Sequence, residues 1–204
     1  VLRRSPCTPG ALLERLECRT LLSWSDFPTI ADLLDANDTV VRMQTSFGDV
    51  DFELFDEAAP ATVANFLDYI RDGDYDKSFF HRLTRDQMTD PVALYAGAFR
   101  LHGPNTTGPF NGASPADQAW ESVPLDAPIA NQFNQSNLAR TLAMARTSVQ
   151  VNSATSQFFI NLQDNPFLDT VDGGFTVFGR IATDASWAIV QAIISGTTPS
   201  DQGG

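Results

Sequence analysis

Arg82 is the first candidate for chemistry, because it closes the stretch Phe79-Phe80-His81-Arg82. Arginine is rarely buried without a partner. Beside so much aromatic surface, its guanidinium either extends to water or points at a group that it holds, since it stays charged and offers a planar fork of donors. The other interpretation is a surface arginine whose stem covers aromatic side chains. We predict that His81 is a packed, hydrogen-bonded residue rather than an acid–base group.

The segment 157–162 is the second candidate, because it places apolar side chains on both faces of a predicted strand. Side chains alternate between the faces of a strand. The two faces are Phe158, Ile160 and Leu162 on one side and Gln157, Phe159 and Asn161 on the other. One face serves the core, so the other is a candidate groove for a ligand.

A hairpin and a helix are the first elements that the sequence predicts. The runs 39–45 and 49–55 flank Ser46-Phe47-Gly48, a pattern typical of a β-hairpin. In the segment 57–73, apolar residues recur with helical spacing, and Gly73 stands where a glycine often follows a helix. We expect an amphipathic helix there.

The rest of the chain predicts further strands and a second helix. Strand patterns return in 139–147, 156–164 and 174–181, and the segment 184–194 has the pattern of a final helix. Residues 84–137 are rich in Pro, Gly, Asn and Thr without a steady period, which indicates long surface loops. Together these elements favour a mainly β fold, a β-barrel with two helices closing its ends.

The composition argues against several classes of partner. The chain has 204 residues, with 13 Lys and Arg against 25 Asp and Glu and a formal charge of −12. An acidic chain without a basic stripe argues against a nucleic-acid partner and against adsorption to anionic lipid. No apolar run reaches the roughly 18–20 residues that span a bilayer. The histidines, His81 and His102, and the lack of a phosphate-cradling glycine loop give no support to a metal or nucleotide cofactor.

The N-terminal segment differs from the domain that follows it. We divide the chain into a leader of residues 1–38, weakly ordered or carrying one short helix, a domain of residues 39–195 and a polar tail of residues 196–204. The spacing of Cys7 and Cys18 fits neither a zinc site nor a CxxC motif, which leaves free thiols or a local disulfide. The stretch LERLECRTLLS resembles a short signature near the N-termini of many exported planctomycete proteins. This resemblance implies an exported, periplasmic or cell-surface location.

Several stretches from residue 39 onward together resemble the cyclophilin family of peptidyl-prolyl cis–trans isomerases. They are TSFGDVDFELF, AAPATVANFLDYIRDGDYD, FFHRL, SNLARTLAMART, NSATSQFFINLQDNPFLD and GFTVFGRI, in this order. MART and NPFLD look more like the bacterial branch of the family. The resemblance implies a closed antiparallel eight-stranded β-barrel capped by two α-helices. The resemblance also implies a further strand after the final helix, where this sequence has a polar tail. Two alternatives stay open: the strand lies beyond a truncation, or the N-terminal segment covers that edge of the sheet.

The resemblance also assigns residues to the site. It implies that Arg82 is the catalytic residue, whose hydrogen bond toward the prolyl nitrogen weakens the double-bond character of the Xaa-Pro amide. It places Phe159 at the floor of a proline pocket, with Gln157 in the groove beside it. Further substrate-binding residues that it implies are Phe167 and Leu168 on the rim, Phe175 where relatives have His or Tyr, and Ala145, which binds peptide backbone. No metal or other cofactor is required.

The segment 83–99 departs from the family pattern. Aligned on YAGAF, Tyr95 stands where the family has its groove glutamine, and Val92 and Ala93 replace a Phe-Met pair. This leaves two functions open. One is an isomerase that acts on proline-containing peptides or unfolded proteins, and the other is a low-activity or inactive module of a larger exported protein that binds prolyl peptides. The resemblance also implies a cyclosporin-type cyclic peptide as a ligand.

Overall fold

Strands dominate the described part of the chain. The computed structural model describes residues 16–17, 33–101, 120–147 and 149–196. Its strands are β1 (Leu16–Glu17), β2 (Thr39–Thr45), β3 (Gly48–Leu54), β4 (Arg82–Arg85), β5 (Pro91–Ala96), β6 (Phe99–Leu101), β7 (Trp120–Ser122), β8 (Thr141–Met144), β9 (Phe158–Asn161) and β10 (Val177–Ile181). Its α-helices are α1 (Pro60–Asp72) and α2 (Asp184–Ser195), and a short 3-10 helix covers Pro166–Asp169. The fold is mainly β with two helices, as the sequence predicts.

The register of one antiparallel sheet aligns the candidate residues. Its strand order is β1-β2-β3-β10-β8-β9-β5-β4, while β6 and β7 pair separately. Arg82 stands opposite Tyr95, and Tyr95 stands opposite Phe159. The partner of Phe159 on β8 is Ala143. Since directly paired residues of neighbouring strands share a face, these side chains lie on one side of the sheet.

Local signals explain the hairpin and the helices. β2 and β3 pair along their whole length, which confirms the predicted hairpin. Gly73 follows α1 with a φ of 74°, in the left-handed region that favours glycine. The Thr183 side chain caps α2, because its oxygen accepts a hydrogen bond from the backbone N–H of Ser186. Both helices thus occur where the sequence predicts them.

One apolar cluster, the main core cluster, joins the helices to most of the sheet. It includes Val41, Phe52, Phe66, Leu83, Leu142, Phe158, Ile160, Phe178 and Val190. Phe66 of α1 packs with Phe158 and Phe178 at ring-centroid distances of 5.2 and 5.1 Å. Val41 on β2 and Leu83 on β4 enter this cluster although their strands lie near opposite ends of the strand order. The sheet therefore curves around the main core cluster.

The interpretation of residues 84–137 as long surface loops is wrong where β5, β6 and β7 stand, whereas residues 123–137 belong to no helix or strand of the structure. β5 buries Ala93, Leu94 and Ala96, and β6 pairs with β7. β5 lacks the alternation of apolar and polar residues because both of its faces are covered by other apolar side chains. Residues 102–119 of this segment lie outside the described residues.

The two ends of the chain are described only in part. Within the leader, which is predicted to be weakly ordered or to carry one short helix, Leu16–Glu17 instead form a short strand on the edge of β2. The backbone N–H groups of Leu34 and Asp35 donate to the buried Glu53 carboxylate at 2.6 and 3.0 Å, which anchors the end of the leader to β3. The rest of the leader, with both cysteines, and the residues after 196 lie outside the described residues. Within the described ranges, neither α1 nor α2 is long and apolar enough to cross a membrane.

Candidate active site

A second apolar cluster lies on the face of β9 that points away from the main core cluster. This second cluster contains Phe55, Ala58, Val92, Ala93, Tyr95, Ala143, Ala145, Phe159, Leu168, Phe175 and Val177. Phe158 and Ile160 belong to the main core cluster instead. The prediction that Phe158 and Phe159 point in opposite directions is therefore confirmed.

Arg82 lies at the edge of the second cluster with its donors uncommitted. It is exposed, and its guanidinium carbon is 5.0 Å from the centroid of the Tyr95 ring. Among the described residues, the Arg82 side chain has no hydrogen-bond or ion-pair partner. Carboxylates pair with the guanidinium groups of Arg42, Arg71, Arg100, Arg140 and Arg180. A cation held on a ring face keeps its N–H donors free for a bound molecule.

A row of three aromatic rings runs from Arg82 across the second cluster. The Tyr95 and Phe159 ring centroids are 5.1 Å apart, and Phe159 meets Phe175 edge-on at 5.9 Å. Arg146 lies at the far end, with its guanidinium carbon 4.2 Å from the Phe175 centroid. The row therefore has an arginine at each end and apolar surface between them.

Phe159, the predicted floor of the pocket, is covered in this structure. Its exposed fraction is 1%, against 2% for Phe158 in the main core cluster. Two of the side chains packed against it, Tyr95 and Phe175, are themselves only half-buried. A ligand ring therefore reaches Phe159 only when one of its covering side chains turns aside.

The two covering rings are held in different ways. The Tyr95 hydroxyl has no hydrogen-bond partner among the described residues. Burial raises the pKa of Tyr95, while the Arg82 charge acts in the opposite direction, so the hydroxyl keeps its proton at neutral pH. The Phe175 ring is held more firmly, because the Arg146 guanidinium against it is itself hydrogen-bonded to backbone carbonyls, whereas the Arg82 guanidinium on the Tyr95 ring is not. Tyr95 is the freer of the two.

His81 is packed beside the site, as the sequence predicts. Its ring lies edge-on to Phe99 with the centroids 5.3 Å apart. Burial lowers the pKa of His81, and the neighbouring Arg82 charge acts in the same direction, so the imidazole is neutral at pH 7. Its Nδ1 atom is buried without a hydrogen-bond partner in the described part of the chain. A neutral and packed ring agrees with a structural role.

A buried amide network ties the walls of the second cluster together. The Asn165 side chain donates to Asn161 at 2.8 Å and to the Val92 carbonyl at 3.2 Å. The Asn137 side chain donates to the Phe175 carbonyl and accepts from Asn161, both at 3.3 Å. All three asparagines are fully buried. The network therefore fixes backbone segments that carry side chains of the second cluster.

The structure brings most of the predicted site residues together. Those in the second cluster are Val92, Ala93, Tyr95, Ala145, Phe159, Leu168 and Phe175. Phe167 is 56% exposed and does not pack in the cluster, although Leu168 beside it does. Gln157 is exposed, and its backbone carbonyl accepts from the Ala145 N–H at 2.9 Å. The amide network and Arg146 were not predicted from the sequence, although Arg146 directly follows the predicted site residue Ala145.

The chemistry of this site is hydrogen-bond donation beside apolar rings. Within residues 33–101, 120–147 and 149–196, no group of three or more His, Cys, Asp or Glu side chains is placed to hold a metal ion. Arg82 offers hydrogen-bond donors, and His81 is neutral and packed. The arrangement can bind an apolar ring and donate to an amide without transferring a proton.

Comparison with known proteins shows the family. The model of the cyclophilin type peptidyl-prolyl cis-trans isomerase family matches residues 40–203. Peptidyl-prolyl cis-trans isomerase cyp18 of Streptomyces antibioticus is 37% identical over 172 residues, which cover 81% of this chain and 89% of the relative. Peptidyl-prolyl cis-trans isomerase B of Escherichia coli is 35% identical over 149 residues, which cover 70% of this chain and 77% of the relative. The chain belongs to the cyclophilin-type peptidyl-prolyl cis-trans isomerase family, a family of isomerase enzymes.

A solved structure shares the fold. The crystal structure of a Cryptosporidium parvum cyclophilin type peptidyl-prolyl cis-trans isomerase, determined in the presence of the dipeptide Ala-Pro, matches with a TM-score of 0.52. The two sequences are 25% identical, and the match covers 74% of this chain and 83% of that chain. The mainly β architecture with two helices is therefore cyclophilin-like.

Proposed function

We propose that this domain accelerates rotation about Xaa-Pro bonds in peptides and unfolded proteins, with Arg82 as the hydrogen-bond donor. Amide resonance opposes this rotation with a barrier of about 18–20 kcal/mol. A guanidinium that donates to the prolyl nitrogen stabilises the twisted bond more than the planar one, because the nitrogen lone pair leaves resonance only in the twisted form. The observation that carries the proposal is the uncommitted Arg82 guanidinium above the ring row.

The second cluster supplies the proline pocket in this proposal. A proline ring contacts Phe159 once the Tyr95 ring has turned aside, since Tyr95 is the freer cover. Arg82 rests on the same Tyr95 ring, 5.0 Å from its centroid. In this proposal the guanidinium follows the ring on which it rests, so Tyr95 still positions Arg82 toward the substrate when the pocket opens.

The other predicted residues form the walls and the rim of the proposed pocket. We assign Val92, Ala93, Leu168 and Phe175 to its walls, because they pack in the second cluster. Phe167 and Gln157 are exposed beside it and are assigned to the rim. Ala145 and Gln157 are neighbours through a backbone hydrogen bond, and an extended peptide can bind along such backbone.

Tyr95 decides between the isomerase and a binding module without turnover. The family pattern has a glutamine at this position, which hydrogen-bonds near the catalytic arginine. Here the face of the Tyr95 ring takes that place under the Arg82 guanidinium, so the arginine still has a positioning partner. The curated relatives named above are isomerases. We therefore favour the isomerase.

Further proposals concern the closure of the sheet, the division of the chain, the location of the protein and its ligands. We propose that the sheet closes into a barrel, which the packing of Val41 and Leu83 in one core supports. The division at residues 1–38, 39–195 and 196–204 remains a proposal, as do an exported, periplasmic or cell-surface location and a cyclosporin-type ligand. The relative solved in the presence of the dipeptide Ala-Pro supports a proline-containing peptide as the ligand.

The proposal is tested by NMR exchange spectroscopy on an Ala-Ala-Pro-Phe peptide. We expect the parent protein to accelerate cis–trans exchange and Arg82→Ala to reduce the acceleration by roughly 10²–10³, the usual effect of removing a preorganised donor. Arg71→Ala is the matched control, because Arg71 is exposed on α1 and pairs with Asp68. If the parent binds the peptide without accelerating exchange, the domain is a binding module and the proposal is wrong.

A further inference from the structure

We propose that Arg146 is a positioning residue of the pocket: it fixes the Phe175 ring and the loop 171–174, and thereby sets the affinity for prolyl peptides. This inference rests on the proposed function, because it takes the second cluster to be the substrate pocket. It concerns a side chain that lies at the opposite end of the ring row from Arg82.

The loop 171–174 has a backbone that L-residues rarely adopt. The φ angles are 48° at Asp172, 85° at Gly173 and 80° at Gly174, which are consecutive positive values. Asp172 is not a glycine, so its left-handed conformation needs support from its surroundings. At Gly174 a Cβ atom would lie 2.5 Å from the ring of Phe133. The path of the chain into Phe175 is therefore strained and closely packed.

The guanidinium of Arg146 supplies the support. Its Nη2 donates to the backbone carbonyls of Val171 and Asp172 at 3.0 and 3.1 Å, and a longer contact of 3.4 Å reaches the Gly174 carbonyl. The Asn131 side chain also donates to the Gly174 carbonyl, at 3.1 Å. Residues Val171–Gly173 form a single 3-10 turn with one backbone hydrogen bond, from the Gly174 N–H to the Val171 carbonyl at 2.9 Å. The two side chains thus add to the little backbone bonding that this loop has.

The same guanidinium packs on the pocket ring. Its central carbon is 4.2 Å from the Phe175 centroid, a distance at which a cation is attracted to the ring face. Unlike the arginines with carboxylate partners, Arg146 has none among the described residues. Its interactions are with the loop 171–174 and with Phe175. Loop, ring and guanidinium therefore form one unit.

A wall that is fixed before binding lowers the conformational cost of binding. If Phe175 is fixed by Arg146, Tyr95 is the side chain that moves when the pocket opens. The Phe175 ring then has the same position in the free and in the peptide-bound protein. Because Arg82 stands at the other end of the ring row, the loss of Arg146 leaves the donor in place. Arg146 therefore acts on affinity and not on the isomerisation of the bound peptide.

The test compares Arg146→Met with Arg140→Met in the full chain. Methionine keeps an unbranched apolar side chain but removes the charge and the donors. Arg140 is a matched control, because its guanidinium carbon also lies over a ring, 5.2 Å from the Trp187 centroid. The Arg140 side chain forms an ion pair with Asp184 and lies outside the second cluster. NMR titration with an Ala-Ala-Pro-Phe peptide gives Kd, and exchange spectroscopy at saturating peptide gives the rate on the protein.

We expect Arg146→Met to raise Kd roughly tenfold, through the loss of a cation–π contact and of hydrogen bonds. The rate on the protein is expected to stay within about twofold of the parent. Arg146→Lys keeps the charge and is expected to have an intermediate Kd, whereas Arg140→Met is expected to match the parent.

A parental or lower Kd for Arg146→Met overturns the inference, and so does a fall in the bound rate as large as that of Arg82→Ala. If Arg146→Met does not fold, the Kd of Arg146→Lys decides, and a parental value overturns the inference. The acceleration by the parent, measured in the same series, tests the proposed function separately.

Discussion

The two faces of β9 are equally buried but are covered in different ways. Phe158 and Phe159 are 2% and 1% exposed, so burial alone does not separate the core from the site. Phe158 packs with Tyr75, whose hydroxyl donates to the Ser156 carbonyl at 2.5 Å. Phe159 packs with Tyr95, whose hydroxyl has no such partner among the described residues. One tyrosine is anchored and the other is free to turn.

This difference shows how a pocket is recognised when it is closed. Opening the main core cluster requires moving strands or α1, which breaks backbone hydrogen bonds and exposes apolar surface. Opening the second cluster requires turning a side chain at its edge. The freedom of the covering side chains, and the arginines that lie on them, therefore distinguish the site from the core.

The largest effect is expected from truncating the two phenylalanines one at a time. Phe158→Ala is expected to lower the free energy of unfolding by about 3–5 kcal/mol, because the surrounding strands cannot collapse into the cavity. Phe159→Ala is expected to cost less, about 2–3 kcal/mol, because the Tyr95 ring can settle into part of the space. Urea unfolding measures both values. Equal losses in the free energy of unfolding would contradict the proposed difference between the two faces of β9, since the side chains that cover Phe159 would then be as rigid as those that cover Phe158.

An intermediate effect is expected from Tyr95→Ala. The variant uncovers Phe159, so the Kd for an Ala-Ala-Pro-Phe peptide is expected to fall roughly two- to fivefold. Arg82 loses the ring on which it rests, so isomerisation of the bound peptide is expected to slow roughly tenfold. NMR titration and exchange spectroscopy measure the two quantities separately. A rise in Kd would show that Tyr95 is a fixed wall of the pocket and not its moving cover.

The smallest effect is expected at Asp38, which lines a cavity together with Phe55 of the second cluster. Burial raises the pKa of Asp38 to about 6, and the carboxylates of Glu53, Asp56 and Asp35 act in the same direction. Between about pH 4 and pH 6 the unfolded chain loses this proton before the folded protein does. This group therefore lowers folding stability as the pH rises, and its cost is complete above pH 6.

Asp38→Asn removes that cost. Because the carboxyl is partly exposed and screened, we expect Tm to rise by only about 2–4 °C at pH 7.5. The difference from the parent is expected to vanish toward pH 3, where the carboxyl is neutral in both states. Thermal unfolding at the two pH values measures this. The rate of peptide exchange is expected to match the parent, and a changed rate would mean that the site extends to the cavity beside Asp38.

The elements that the sequence predicted correctly are those with local signals. The turn at 46–48, Gly73 after α1 and the helical spacing in 184–194 depend on neighbours in the chain, and each element is present. β5 was missed because the run Ala93-Leu94-Tyr95-Ala96 does not alternate. It is a strand because β4 and β9 flank it on both sides, which no local pattern records.

The site was predictable as a set of residues but not as an arrangement. The family resemblance names Arg82 and Phe159, yet the position of Tyr95 between them requires the register of three strands. The cover over Phe159 depends on the orientations of the Tyr95 and Phe175 rings, which side-chain packing decides. The link from Arg146 to its loop spans 25 residues or more of sequence, so it leaves no local signal.

The most direct test of the closed pocket is a set of intermolecular NOEs between isotope-labelled protein and an unlabelled Ala-Ala-Pro-Phe peptide. We expect the proline ring protons to show NOEs to the ring of Phe159 and to those of Tyr95 and Phe175, with none to Phe158. Such contacts would mean that the covering side chain turns aside and admits the proline. A saturated complex in which the proline shows no NOE to Phe159, or contacts rings outside the second cluster, would contradict a proline pocket on this face of β9.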